Sequence, residues 1–136
     1  MSYASTAMTS APPAPAPVRV LIIEDEPAVR LFLARSLRPW QVTVVGDGLT
    51  ASKRLAEGDW DAILCDLTLP GLDGPTLYQR ATASQRRRFL FMTGGAYTPE
   101  AQDFLERCGA PTLYKPFDPD DVREHIERLL RASEAP

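Results

Sequence analysis

Four short stretches of this chain end in side chains that suit one another chemically. Glu24, Asp25 and Glu26 end or follow an apolar run that starts at Val18, Asp66 closes the run Ala62–Asp66, Thr93 closes Phe89–Thr93, and Lys115 stands before Pro116 at the end of Pro111–Lys115. Taken singly, each has an ordinary explanation: an acidic triplet before a helix, an aspartate in a turn, a threonine before Gly94 and Gly95, a Lys-Pro-Phe that launches a helix. Their joint occurrence at the ends of four β-rich runs points elsewhere. As neighbouring parallel strands, these runs would deliver carboxylates, a hydroxyl and an ammonium to one edge of a sheet, where ligands of open α/β sheets collect. That is the equipment of phosphoryl transfer, a reaction driven mostly by positioning and charge neutralisation.

A metal requirement follows from the size of the repulsion. Two carboxylates about 4 Å apart, at an effective dielectric of about 20, repel by roughly 4 kcal/mol, enough to raise one pKa by about three. A divalent ion relieves this, and an all-oxygen site with places left for water and a phosphoryl oxygen suits Mg2+ better than a closed Ca2+ cage. Asp25 and Asp66 are expected as direct ligands, with the longer Glu24 acting through water and the backbone carbonyl of Thr68 completing the protein's share. Asp66 is the expected nucleophile. Lys115, a compact point charge, is expected to pair with Asp66 at rest and then hold a phosphoryl oxygen, while Thr93 donates its hydroxyl to another.

The elements needed to carry these groups are legible in the patterning. From Val18 onward, short β-rich apolar runs alternate with helical periods, the pattern of a parallel α/β sheet. Strands are expected at Val18–Glu24, Gln41–Gly46, Ala62–Asp66, Phe89–Thr93 and Pro111–Lys115, the central ones continuously apolar, as strands covered on both faces are. Val29, Phe32, Leu33 and Leu37 form one helical stripe, and Val122, Ile126, Leu129 and Leu130 another, both pointing to core contact. Pro27, Pro99 and Pro119 each follow a residue able to cap, Glu26 weakly and Thr98 and Asp118 well, so each proline sits at a first helical position where no donor is lost. Gly109, just after Cys108, reads as a left-handed helix stop. Residues 1–17, with Pro12, Pro13, Pro15 and Pro17 clustered, are expected to form a disordered, partly polyproline tether, residues 18–132 one folded domain, and residues 133–136 a short tail.

Length and charge narrow the classes further. At 136 residues there is room for one ordinary domain, and so for one site. A net charge of −3 leaves no electrostatic footprint for nucleic acid. No apolar stretch approaches the roughly 20 residues that cross a bilayer, so the expected location is the cytoplasm. Cys65 and Cys108 lack a CxxC spacing and read as reduced thiols. His125, beside Val122 and Ile126, is expected to be a partly packed surface histidine, Arg86-Arg87-Arg88 a solvated loop, and Trp40 and Trp60 covers for the core edges.

The segments VLIIEDEPAVR, AILCDLTLPGLDG, FMTGG and LYKPFDPDDV resemble the receiver domains of two-component response regulators, from about Val18 to Ala132. The resemblance sets Glu24 and Asp25 on the family's acidic doublet, Asp66 on its phosphoacceptor, Thr93 on its switch hydroxyl and Lys115 on its lysine. It implies a three-layer flavodoxin-like (βα)5 fold with a parallel five-stranded sheet in the order 2-1-3-4-5. It also implies a phosphoprotein of a phosphorelay. Asp66 would take a phosphoryl group, with Mg2+, from a phosphohistidine on a sensor histidine kinase or histidine phosphotransfer protein. The receiver would catalyse only its own modification and later hydrolysis, without being an enzyme in any wider sense. A new charge of about −2 would draw in Thr93 and Lys115 and rearrange the face of the fourth main helix, fifth strand and fifth main helix, where partners dock. No direct contact with nucleic acid or membrane is expected, and the output is expected to come from a downstream protein partner, because nothing after Ala132 is large enough for an output domain.

Two positions depart from the family pattern. Thr112 stands where receivers often carry an aromatic, with Tyr114 directly before Lys115, and Glu24 replaces the commoner aspartate. The TGGA and LYKPF segments are similar to those of receivers attached to hybrid sensor kinases. Three rival classes remain in view. A pseudo-receiver acting as a constitutive binding module is opposed by the intact Asp66, Thr93 and Lys115. An aspartyl-phosphate phosphatase would want a second aspartate where Thr68 stands, and a flavodoxin would want a Ser, Thr and Gly cradle where the first loop is acidic.

Overall fold

The computed structural model describes residues 17–95 and 98–134. The tether expected over residues 1–17 therefore lies, except for Pro17, outside the described residues, as do the last two residues of the expected tail. Five strands form one sheet: β1 (Arg19–Ile23), β2 (Gln41–Val45), β3 (Ala62–Asp66), β4 (Phe89–Thr93) and β5 (Thr112–Tyr114). All pair in parallel, in the order β2-β1-β3-β4-β5, so the fold is the flavodoxin-like one. Every strand lies within one residue of its expected limits. The apolar runs of β3 and β4 are buried at all five positions, because both faces of the sheet's middle are covered.

Alternation along the strands sorts side chains onto two faces. Leu21, Ile23, Ile63, Cys65, Phe89 and Phe91 pack on one side, and Val20, Ile22, Ala62, Leu64, Leu90 and Met92 on the other. Six helices are described: α1 (Pro27–Ser36), α2 (Gly48–Glu57), α3 (Gly74–Arg80), α4 (Ala83–Arg86), α5 (Pro99–Cys108) and α6 (Pro119–Glu134). Ala51 and Leu55 of α2, Leu77 of α3 and Phe104 of α5 meet the first face, while Leu33 of α1 and Val122, Ile126 and Leu129 of α6 meet the second. The result is three layers. Because α1 and α3 lie on opposite faces, the connections leaving β1 and β3 diverge and leave a crevice at the carboxyl ends of those two strands.

Of the three expected proline-preceding caps, Thr98 and Asp118 cap through their side chains and Glu26 does not. Thr98 Oγ1 accepts from Ala101 N at 3.1 Å, Asp118 Oδ1 accepts from Asp121 N at 2.9 Å, and Gly109 ends α5 with φ 69°. Other features differ from expectation. Phe32 is 37% exposed and leans on Phe117, their ring centroids 6.2 Å apart, so the α1 stripe buries Leu33 and Leu37 but turns Phe32 outward. The arginine triplet is not a plain solvated loop: Arg86 ends the short α4 and donates Nε to the Tyr78 carbonyl, and Arg88 donates to the Trp60 carbonyl. Two readings hold, Trp40 half-buried beneath the Arg123 guanidinium and His125 partly packed against the Asp121 carbonyl, while Trp60 is buried and donates Nε1 to the Arg54 carbonyl at 3.1 Å.

The first face is stiffened by rings meeting edge to face. Phe91 and Phe104 lie 5.5 Å apart at 85°, and Tyr78 meets Phe89 at 5.2 Å and Phe104 at 5.5 Å in similar geometry. Phe91→Ala removes a fully buried ring from the middle of this cluster and should destabilise the fold by about 3–5 kcal/mol in urea denaturation, with the slope of the transition unchanged.

Candidate functional site

The strand ends converge as the sequence suggests. Glu24 is the residue after β1, and its N–H still bonds the Val45 carbonyl at 3.0 Å, so the sheet ladder fixes it although the strand has ended. Asp66 is the last residue of β3 and Thr93 the last of β4. Lys115 follows β5, its N–H bonding the Thr93 carbonyl at 2.7 Å. Parallel pairing alone therefore brings the four to one edge.

The side chains meet there. Lys115 Nζ donates to Glu24 Oε1 at 2.6 Å and to Asp66 Oδ2 at 3.0 Å. Glu24, fully buried, has its other oxygen occupied by the Glu26 N–H at 3.0 Å, and Asp66 Oδ1 accepts from Thr68 N at 3.1 Å. Asp25 is exposed, yet one carboxylate oxygen from each of Glu24, Asp25 and Asp66 lies within 4.8 Å of the others. Thr93 is buried, its Oγ1 accepting from Gly95 N at 3.2 Å, which leaves the hydroxyl proton free to donate. Thr68 is exposed beside the site, held there by its amide.

Burial and charge pull against each other in this cluster. Burial pushes the Glu24 carboxyl up to about 7, against the lowering effect of the hydrogen bonds from Lys115 and the Glu26 amide, and the Asp66 charge pushes the same way as burial. Burial of Lys115 would lower its pKa, but the bonds to Glu24 and Asp66 outweigh it and hold the ammonium above its ordinary value. Lys115 thus stays charged and is shared between two carboxylates. Beneath them the Cys65 thiol, fully buried, is pushed well up by burial and by the neighbouring carboxylates, and stays an inert protonated packing group.

The donor set fits a hard dication. All three converging groups offer oxygen, one lysine offsets one charge of three, and exposed Asp25 leaves a way in. Both oxygens of Glu24 and both of Asp66 already accept a hydrogen bond, so among the three Asp25 has the freest oxygens for metal.

Gly74, where α3 starts, plays a part that spacing did not show. A Cβ there would lie 2.7 Å from the Asp66 carbonyl oxygen and 3.1 Å from Leu67 Cα, so only glycine lets α3 press against the end of β3 and fix the Asp66 backbone. The Asp73-Gly74 pair before a helix was the available signal, since Asp73 caps α3 through Thr76 N.

This geometry agrees with what the chain resembles. The family model for the response regulator receiver domain matches residues 20–127. The chain belongs to that family. It is 33% identical over 118 residues to the response regulator receiver protein CpdR of Brucella abortus, covering 85% of this chain and 98% of that protein. Longer curated relatives also match, and of two of them the chain spans about half, 48% and 52%. Among solved structures, the receiver domain of the sensor histidine kinase PA1611 from Pseudomonas aeruginosa is 29% identical with a TM-score of 0.75, covering 85% of this chain and 99% of that one, and holds a magnesium ion in its active site cleft. A CheY-like receiver domain protein from Methanospirillum hungatei shares the fold, with a TM-score of 0.79 at 23% identity, covering 88% of this chain and 98% of that one. This receiver domain is thus a module of two-component signalling.

Two outcomes follow for the metal-free receiver. Asp66→Ala removes one of three crowded charges and leaves Lys115 with Glu24, so the melting temperature in chelator should rise by about 2–4 °C. The pH dependence has a definite sign. Unfolded Glu24 loses its proton near 4.5 and folded Glu24 near 7, so between these values the folded state binds more protons and stability in chelator should fall as pH rises. Melting curves from pH 4.5 to 8 should show this decline, and Glu24→Gln should flatten it.

Proposed function

We propose that the chain is a phosphorylation-dependent signalling switch that accepts a phosphoryl group on Asp66 from a phosphohistidine of a sensor histidine kinase or histidine phosphotransfer protein. The observation that carries this reading is Lys115 Nζ shared between Glu24 Oε1 and Asp66 Oδ2, beside Asp25, at the carboxyl edge of the sheet. An Asp66 carboxylate oxygen attacks phosphorus, the phosphorus–nitrogen bond breaks, and the imidazole leaves with its electron pair. Asp25, Asp66 and the Thr68 carbonyl would hold Mg2+, with Glu24 acting through water, and the bound ion would supply the charge neutralisation that the approach of two anions needs. Lys115 follows the new phosphoryl oxygens, as a point charge follows the nearest concentration of negative charge. Thr93 donates its free hydroxyl proton to another of them.

The same shift explains signalling. Thr112, in the place of the family's usual aromatic, is half-buried, with its hydroxyl on the Ala110 carbonyl, while Tyr114 is 55% exposed. Movement of Thr93 and Lys115 therefore reaches the surface through the backbone that joins them, Lys115 N to the Thr93 carbonyl, and through the β4–β5 ladder. It alters the face of α5, β5 and α6 for a downstream protein partner. Donors of this kind draw on cytosolic ATP, so we place the receiver in the cytoplasm, and no described helix is long and apolar enough to cross a membrane.

Incubation with acetyl phosphate or phosphoramidate, followed by intact mass spectrometry, tests the reading. One labile phosphoryl group should be gained with Mg2+, none in chelator, and none in Asp66→Asn. A gain that persists in Asp66→Asn, or no gain at all with Mg2+, would sink it.

A further inference from the structure

Helix α1 begins without the device that starts the other described helices. Asp47, Asp73, Thr82, Thr98 and Asp118 each accept a hydrogen bond from the backbone N–H three residues on. Glu26, at the corresponding place before α1, makes no such bond. The short segment between β1 and α1 is held instead from within the helix: Arg30 Nη1 donates to the Glu24 carbonyl at 2.9 Å and to the Asp25 carbonyl at 3.2 Å. Those carbonyls belong to the residues that supply two of the three converging carboxylates. Asp25 has the greater need of such a hold. Its carboxylate is exposed and makes no hydrogen bond or ion pair among the described residues, so its direction is set by its backbone alone.

The reach of Arg30 depends on a gap across the sheet edge. Gly46 follows β2, and a Cβ there would lie 2.7 Å from Arg30 Nη1. Because the atom struck is the tip of a long side chain, Gly46→Ala would displace the guanidinium and spare the backbone.

We propose that Arg30 is a positioning residue for the acidic site: it ties the Glu24 and Asp25 carbonyls so that Asp25 faces Asp66, and Gly46 is the opening it passes through. The proposal rests on the reading of this site as a Mg2+ and phosphoryl site. Groups that orient metal ligands from behind govern affinity strongly although they touch no metal, so Arg30→Ala should weaken Mg2+ binding by roughly tenfold.

The test is calorimetric titration of the full chain with Mg2+ alone, for the wild type, Arg30→Ala, Gly46→Ala and the double variant. Arg30→Ala and Gly46→Ala should both weaken binding, and the double variant should match Arg30→Ala, because the new methyl then has nothing to strike. Saturating Mg2+ should return the rate of phosphorylation by acetyl phosphate to within about twofold of the wild type, which a general loss of structure would not allow. In chelator, the Glu26 amide, which donates to Glu24, should exchange its hydrogen faster in Arg30→Ala. Unchanged Mg2+ affinity in a folded Arg30→Ala overturns the proposal, as does a Gly46→Ala loss that multiplies with that of Arg30→Ala. Should Arg30→Ala fail to fold, Gly46→Ala decides alone, an unchanged affinity counting against the clamp. A wild type that neither binds Mg2+ nor gains a phosphoryl group overturns the functional reading instead, and amide exchange in chelator then judges the clamp by itself.

Discussion

Bringing Glu24, Asp25 and Asp66 within 4.8 Å of one another is an electrostatic cost that folding has to meet, and Lys115 meets part of it by donating to Glu24 and Asp66 at once. One ammonium against three carboxylates leaves an imbalance. That imbalance suits the edge of the sheet to a dication, and under the proposed function it leaves the lysine free to follow the negative charge of a phosphoryl group. Everything else in the molecule serves the convergence. The parallel ladder aligns the strand ends, the two apolar layers hold the strands in order, and the burial of Glu24 ensures that its charge is felt in a medium that screens poorly.

Burial also separates the roles of the three acids. Glu24 lies deep, with both oxygens spoken for, and acts as an anchor for Lys115. Asp66 presents one oxygen to the Thr68 amide and one to the lysine, so its direction is fixed before any substrate approaches. Asp25 is the exposed member, oriented through the main chain. Similar residue types thus divide into a buried support, a carboxylate fixed at both oxygens and an exposed carboxylate, which the proposed function takes as anchor, nucleophile and metal ligand.

Much of this was legible in the sequence, and for identifiable reasons. Strand limits followed from apolar runs bounded by turn residues, and the starts of α5 and α6 from Thr98 and Asp118 standing before prolines. The meeting of Asp66 with Lys115 was legible because parallel strands share an edge. What escaped notice depends on approach in space. Gly74 matters only because Asp66's carbonyl lies against it, and Gly46 only because Arg30 crosses over it. Arg30 itself sits at ordinary helical spacing and looks like any solvated arginine. Helix α4 is a single turn held by the reciprocal bonds of Thr82 and Gln85, too short to show a period. Phe32 fits the apolar stripe of α1 but leans on Phe117 at the rim, a contact set by the last connection of the chain.

The pairing of Lys115 with Glu24 spans 91 residues, and that with Asp66 spans 49. The acidic partners are therefore made long before the cation that settles them, and the cation is held by the shortest strand, three residues at the sheet's margin. A nascent or partly unravelled chain has Asp66 but no assembled pocket around it. Under the proposed function, competence to receive a phosphoryl group is in this way a property of the finished tertiary structure, so that only an intact molecule could pass a signal on.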